Sequence, residues 1–327
     1  MEITEFCEEV KSELEFCIGE EVSIDIKKIT KNNGVVLNSV VIAKKGRNVS
    51  PNIYLDRFFE AYEQGKSFGE IIEEIIIIYK ENSLTKNLDM NFFTDYGKMK
   101  GRVAYKIIGY EKNKEILEEI PHFQFLDMAV VFYCNVSEEE FSKATILIYN
   151  NHLRMWDITK ETLYEDAKEN TKKLLPARIV PIEKMMREIF SEDLKREFSE
   201  RKGEEDEFMP DEEWFDKAAD QLLSTVTDCD GGGGMYVMGN ENKLFGAVTM
   251  LYDNTLQTFS NEISKDLFIL PSSIHEVILI PDDGRQEAEE LWRMVCEINN
   301  TQVDPEDVLT DAVYHYSRKE NIIIKLF

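Results

Sequence analysis

A thirteen-residue pattern occurs twice in this chain, and a repeat constrains architecture before any single residue does. ATILIYNNHLRMW runs from Ala144 to Trp156, and AVTMLYDNTLQTF runs from Ala247 to Phe259. At one constant offset Ala144/Ala247, Tyr149/Tyr252, Asn151/Asn254 and Leu153/Leu256 are identical. Leu147/Met250, Ile148/Leu251, Asn150/Asp253 and Trp156/Phe259 are conservative exchanges. A second echo follows each copy, LLPARI at Leu174–Ile179 and ILPSSI at Ile269–Ile274. Each copy reads as strand–turn–strand–helix followed by a Leu-Pro bend. A duplication would produce two related lobes, and chance convergence of strand-plus-turn text would leave the same identities. The shared Tyr and Trp/Phe positions suit a core better than a ligand platform.

The remaining local signals are of ordinary kinds. Apolar positions at helical spacing (Ile3, Phe6, Cys7, Val10, Leu14, Cys17) predict a helix over 3–18 that Gly19 ends. Val22–Ile29 and Val35–Ala43 alternate around Asn33-Gly34, a hairpin signal because a type I′ turn needs positive φ at both central positions. Pro51 is expected to precede a helix carrying Tyr54, Phe58, Phe59 and Tyr62. Ser67 and Glu70 form a capping box before a helix at Ile71–Tyr79. Met128–Asn135 and Ala144–Tyr149 read as paired strands around Ser137–Glu140. Thr159 caps a helix to about Lys173, and Pro176 and Pro181 interrupt the chain before a helix at Ile182–Phe198. The charged run Ser199–Glu213 reads as a linker. A helix at Trp214–Val226 and a strand at Met235–Met238 precede the second repeat copy, which is expected to supply another strand and a helix start. Short buried strands are expected at Leu267–Leu270 and Glu276–Ile280. Ala288, Leu291, Trp292 and Val295 share one face of a helix predicted from near Asp283, and Asp304-Pro305-Glu306 is expected to open another. Ile322–Phe327 closes as a strand. The expected fold class is α+β: an N-terminal helix, hairpin and helix region at 1–120, a first lobe at 121–198, an acidic linker at 199–213 and a second lobe at 214–327.

Several of these blocks resemble one family. NNGVVLNSVVI, SPNIYLDRFFEAYEQGKSFGEIIEEI, FLDMAVVFYC, ATILIYNNHLRMW and LFILPSSIHEVILIP look like its successive segments, in order and over nearly the whole chain. It is the bacterial domain-of-unknown-function family 5688, common in gut Firmicutes. The resemblance implies a bacterial cytoplasmic setting and carries no site residue across.

Composition excludes several classes. With 327 residues the chain suits about two domains and can bury a sizeable core. No apolar run approaches the about 20 residues needed to span a bilayer. The N-terminus is acidic and lacks the basic start and apolar middle of a signal peptide, so a cytoplasmic location is expected. Five scattered cysteines without CxxC spacing argue against a disulfide framework and against a zinc site. A formal net charge of -26 repels phosphates and anionic membranes, which argues against direct nucleic-acid binding. It leaves open an acidic nucleic-acid mimic, although lysines interleave the acids along most helices.

Four stretches could carry chemistry. Ser272, Ser273, His275 and Glu276 lie between two expected strands and offer a nucleophile, a base and an orienting acid for a hydrolase-like site. In an extended segment, however, Ser273 and His275 share a face that Glu276 does not. The bland alternative is a strand entry in which serines satisfy backbone groups. Asp228 and Asp230 before Gly231–Gly234 could hold a divalent cation, yet the helix–glycine–strand order is wrong for a phosphate loop. Asn150-Asn151-His152 reads as a turn, because the second copy has Thr255 where the first has His152. Asp282 and Asp283 read as helix-start acids. His122 and His315 sit beside aromatic residues without spaced ligands. No HExxH, GxSxG or kinase-type text occurs, and no cofactor motif is present. The sequence therefore predicts a non-catalytic, cytoplasmic interaction or regulatory module whose partner is a protein with a basic surface; it is silent on oligomeric state.

Overall fold

The computed structural model describes residues 1–19, 21–48, 50–82, 91–136, 144–200, 212–226, 234–271 and 273–327. The chain is α+β and divides into two units that are discontinuous in sequence. The first comprises Met1–Ala104, Tyr110–His122 and Phe132–Ala167; the second comprises Tyr105–Gly109, Phe123–Val131 and Lys168–Phe327.

The first unit opens with helix α1 (Ile3–Ile18), strands β1 (Val22–Thr30), β2 (Val36–Lys44) and β3 (Asn52–Tyr54), and helices α2 (Asp56–Glu63) and α3 (Phe68–Glu81). Gly19 ends α1 with φ of 86°, and its N–H donates to Glu15 O. β1 and β2 pair antiparallel from Val22↔Lys44 to Thr30↔Val36. Their turn places Asn33 at φ 61° and Gly34 at φ 70°, as the dipeptide required. Pro51 is followed directly by β3, not by a helix; β3 adds to β2 through Val40↔Ile53. Ser67 and Glu70 form the predicted capping box: Glu70 N donates to Ser67 Oγ and Ser67 N donates to Glu70 Oε2. The apolar faces of these elements close on one core of Phe6, Val10, Leu14, Val40, Ile42, Leu55, Phe58, Ile71 and Ile75. Around Phe6 stand the rings of Phe59, Tyr62 and Phe68, with centroids 5.4–5.9 Å away.

Next come α4 (Asn91–Thr94), α5 (Tyr96–Met99), β4 (Val103–Gly109), α6 (Lys114–Glu119), β5 (His122–Phe125), β6 (Met128–Asn135), β7 (Thr145–Leu147), α7 (Asn150–Trp156) and α8 (Lys160–Leu174). β7 pairs antiparallel with the end of β6, as the strand reading required. Ser137–Glu140 lie outside the described residues. His152 belongs to α7 and not to a turn. Its Nδ1 accepts from Tyr149 N, and Phe93, Tyr149 and Trp156 surround its ring. Trp156 is buried and donates Nε1–H to Phe93 O at 2.8 Å. Thr159 caps α8 by accepting from Thr162 N.

The second unit is organised by β8 (Ala177–Pro181), α9 (Ile182–Glu200), α10 (Glu212–Val226), β9 (Tyr236–Asn240), α11 (Thr255–Ile263), β10 (Leu267–Leu270), β11 (Val277–Pro281), α12 (Ala288–Thr301), β12 (Tyr314–Ser317) and β13 (Ile322–Lys325). The strands form one sheet in the order β13-β12-β10-β11-β9-β8, antiparallel throughout. β8 pairs with β9, which lies on the other side of the charged run 199–213 in sequence. The physical reason is edge completion: β8 satisfies one ladder of β9 that the sheet would otherwise expose. Most of that linker, residues 201–211, lies outside the described residues.

Register fixes the faces of this sheet. Phe268, Ile280, Leu270, Ile278, Val237, Val180 and His315 share one side. Leu291 and Val295 of α12 pack there with Val313. The helix starts at Ala288, five residues beyond the predicted start, because Asp282 and Asp283 are used in turns that accept from Gly284 N and Arg285 N. Asp304-Pro305-Glu306 forms turns and not a helix.

The second repeat copy departs from the first. Where β7 stands in copy one, Gly246–Leu251 is a 3₁₀ helix. The Leu-Pro echo also differs: Leu175-Pro176 follows a helix, whereas Leu270-Pro271 follows a strand. Both copies do run into a helix, but α11 starts at Thr255, two residues later in the repeat than the α7 start at Asn150. Replacing Ser67 by alanine removes the box at the α3 start; an expected loss of about 1 kcal/mol should lower the urea midpoint of the first unit's transition, and an unchanged midpoint would show the cap to be idle.

Candidate functional site

The loop joining β10 to β11 carries the predicted polar cluster. Pro271 ends β10, and Ser273 then makes a tight side-chain turn: its Oγ accepts from His275 N at 3.0 Å and from Glu276 N at 3.2 Å. Ile274 is buried and donates N–H to Asp307 O, while its own carbonyl accepts from Ala247 N. Ser272 lies outside the described residues, as do Asp228 and Asp230.

Directly against this loop runs the 3₁₀ helix of the second repeat copy. A Cβ on Gly246 would stand 2.3 Å from His275 O, 2.9 Å from Asn240 N and 2.9 Å from Gly239 Cα. No side chain fits between three backbones, so glycine is required. A strand here would carry the chain straight past the loop; the observed turn is held instead by Thr249 Oγ1 donating to Gly246 O at 2.7 Å. The preceding residue, Phe245, takes a left-handed conformation with φ of 51°. Its ring stacks on His275 at 5.8 Å and 12°, and Lys106 Nζ lies 4.0 Å from its centroid.

Both nitrogens of His275 are engaged. Phe245 N donates to Nδ1 at 3.2 Å, and Nε2 stands 3.3 Å from Asp307 Oδ1. An accepting Nδ1 assigns the proton of the neutral ring to Nε2, facing the carboxylate. Ser273 Oγ is turned to backbone N–H groups. The three predicted residues are thus brought together in sequence and space, but their bonds hold the loop. A second pair, His315 Nε2 to Asp282 Oδ2 at 3.0 Å, closes the neighbouring β11–β12 region beneath Phe268. No local pattern marks Asp307 or Asp282 as a histidine partner, since each meets its histidine only through strand pairing and chain reversal.

Glu276 differs from its neighbours. It is partly buried and lines a cleft of about 30 Å³ with Arg178, Val180, Met185, Glu188, Ile189, Val237, Asn240, Lys243 and His275. Every other charged group there has a partner: Arg178 pairs with Glu188, and Lys243 holds both oxygens of Glu192 at 2.9 Å. Asn240 donates to Leu244 O and accepts from Leu244 N. No hydrogen-bond donor reaches the Glu276 carboxylate among the described residues. Burial pushes its pKa up, against the smaller opposing pull of His275 and Lys243.

Two larger clefts flank Asp253-Asn254. One, of about 460 Å³, has Tyr236, Phe259, Thr255, Thr258 and Glu262 in its walls. The other, of about 360 Å³, includes Phe125, Tyr316, Asn321 and Ile323. Lys172 and Lys168 hold Asp253 at 2.8 and 3.2 Å and keep its carboxyl below the usual range. Among the described residues no group of three or more His, Cys, Asp or Glu side chains is placed to hold a metal ion.

Glu276 yields a signed prediction. A carboxyl with a raised folded pKa binds its proton more tightly in the native than in the unfolded state. Its ionised form therefore costs stability above the folded pKa, and the cost disappears as pH falls to the unfolded value. Glu276→Gln should melt at a higher temperature than the parent at pH 7, with the gap closing toward pH 4. A gap that is absent, or constant across that range, would contradict burial of an unpaired carboxylate. Gly246→Ala should destabilise the second unit by about 1–3 kcal/mol through overpacking, measured in the same melts.

No helix among the described residues is long and apolar enough to cross a membrane. No curated protein and no solved structure matches this chain. The model of a family of unknown function, DUF5688, matches residues 3–318. With that match covering nearly its whole length, the chain belongs to the DUF5688 family.

Proposed function

We propose that this chain is a non-catalytic, cytoplasmic interaction or regulatory module, and that the β13 edge of its six-stranded sheet receives the partner. The observation that carries this reading is the unshielded edge. Among the described residues β13 pairs on one side only, with β12, and it reads Ile322-Ile323-Ile324-Lys325. Ile322 is 46% exposed, Ile324 43% and the adjoining Phe327 45%.

The opposite edge of the same sheet is treated differently. β8 ends in Pro181 and follows Pro176, residues without an N–H to offer an incoming strand. β13 has no proline, and its single lysine, Lys325, is tied to Asp127 at 3.0 Å. Beside it Trp292 of α12 stacks on Phe327 at 5.9 Å and 22°, extending the apolar surface past the strand. Such an edge fits strand addition, in which main-chain hydrogen bonds supply affinity and alternate side chains supply selectivity.

The net charge of -26 favours a partner that is basic as well as apolar, with association weakening as salt rises. The hydrolase and nucleic-acid-mimic readings have no comparable observation behind them. A labelled hexapeptide alternating lysine with valine or isoleucine serves as a defined probe. Fluorescence anisotropy should show saturable binding at low salt that weakens at high salt. Ile322→Lys with Ile324→Lys should reduce affinity at least tenfold. Equal binding by that variant would remove the strand edge from the reading, and salt-independent binding would remove its electrostatic part.

A further inference from the structure

We propose that the cleft between α9 and the β8–β9 end of the sheet is a receptor for one organic cation, an ammonium or guanidinium head on a short aliphatic stem, with Glu276 as its counter-ion. The inference stands apart from the strand-edge reading, since the cleft and β13 lie at different ends of the sheet.

Three observations converge on it. Among the described residues Glu276 is the charged side chain lining this cleft that no donor reaches, and a partly buried carboxylate gains from a donor that enters the cleft beside it. The cations already present are spoken for by Glu188 and Glu192, so the site has a negative surplus and no surplus positive charge to attract an anion. The remaining wall is apolar: Val180 and Val237 from the sheet, Met185 and Ile189 from α9, the last 42% exposed. That wall suits methylene groups leading to a charged head.

Size narrows the ligand. A water needs about 10–15 Å³ of such volume, so a cleft of about 30 Å³ admits a head group and not a molecule of drug size. One carboxylate is too few oxygens for a calcium or magnesium ion. An alkylammonium or alkylguanidinium supplies two or more donors and a hydrophobic stem at once. A free metabolite and a partner's lysine or arginine share this chemistry.

The test uses the full chain with methyl-labelled Met, Val and Ile, titrated with n-butylammonium, n-butylguanidinium, neutral n-butylurea and an N-acetyl-Gly-Arg-Gly-amide peptide. Both cations should shift the Met185, Val180 and Ile189 methyl signals saturably, and butylurea should not. Glu276→Gln, shown folded by its melt, should bind at least tenfold more weakly. Peptide binding equal to or tighter than butylguanidinium assigns the head to a protein side chain; binding of the free cations alone assigns it to a small molecule. With the unaltered protein, affinity should also fall as the pH is lowered and Glu276 takes up its proton. Arg178 from β8, Glu188 and Glu192 from α9, Lys243, His275 and Asp307 face the same region, so the Glu276→Gln curve provides the baseline for their titration. Binding of butylurea as strong as that of the cations, no saturation at these methyls, or an unaffected Glu276→Gln variant overturns the proposal.

Discussion

The close approach of Gly246 to the His275 carbonyl is the contact on which the centre of the second unit depends. Three backbone segments, β9 at Gly239-Asn240, the 3₁₀ helix at Gly246 and the β10–β11 loop, meet where no Cβ can be accommodated. Once they meet, Phe245 must adopt its left-handed turn, its ring must stack on His275, and its N–H must find Nδ1. Asp307 then closes the other nitrogen and draws in the chain beyond α12. Each bond is of ordinary strength, about 1 kcal/mol net, but the contacts are mutually dependent, and a change at Gly246 would displace several together.

That arrangement alters the meaning of the histidine, serine and carboxylate cluster. Ser273 supports two backbone N–H groups and His275 holds two segments together, so the polar text between two strands is explained by local hydrogen bonding. Glu276 stands outside this network. Its charged neighbours across the cleft pair with one another, and among the described residues no donor reaches the carboxylate.

Local signals were legible wherever the physics was local. Asn33-Gly34 placed a hairpin turn, Ser67 and Glu70 a helix start, and Thr159 another, because positive φ and orphan helix N–H groups are demands met within a few residues. The apolar runs at Leu267–Leu270 and near Val277 were readable as buried strands for the same reason. The thirteen-residue repeat was misleading as structure. Ala144–Ile148 and Ala247–Leu251 have similar text, yet the first supplies β7, pairing with β6, and the second coils beneath His275. Similar propensities resolve to different conformations when one copy finds a strand to pair with and the other meets a backbone at close range.

By itself the sequence determined the class, α+β, the helix and hairpin starts of the first unit, the strongly negative net charge and the grouping of Ser273, His275 and Glu276. Tertiary structure alone decided that β8 joins β9 across the charged run, that Asp307 and Asp282 find their histidines, and that β13 stands at the end of the sheet beside β12. The reason is separation along the chain: a cap or a turn is settled by neighbours three or four residues away, whereas the contact between His275 and Asp307 depends on which distant backbones the sheet brings together.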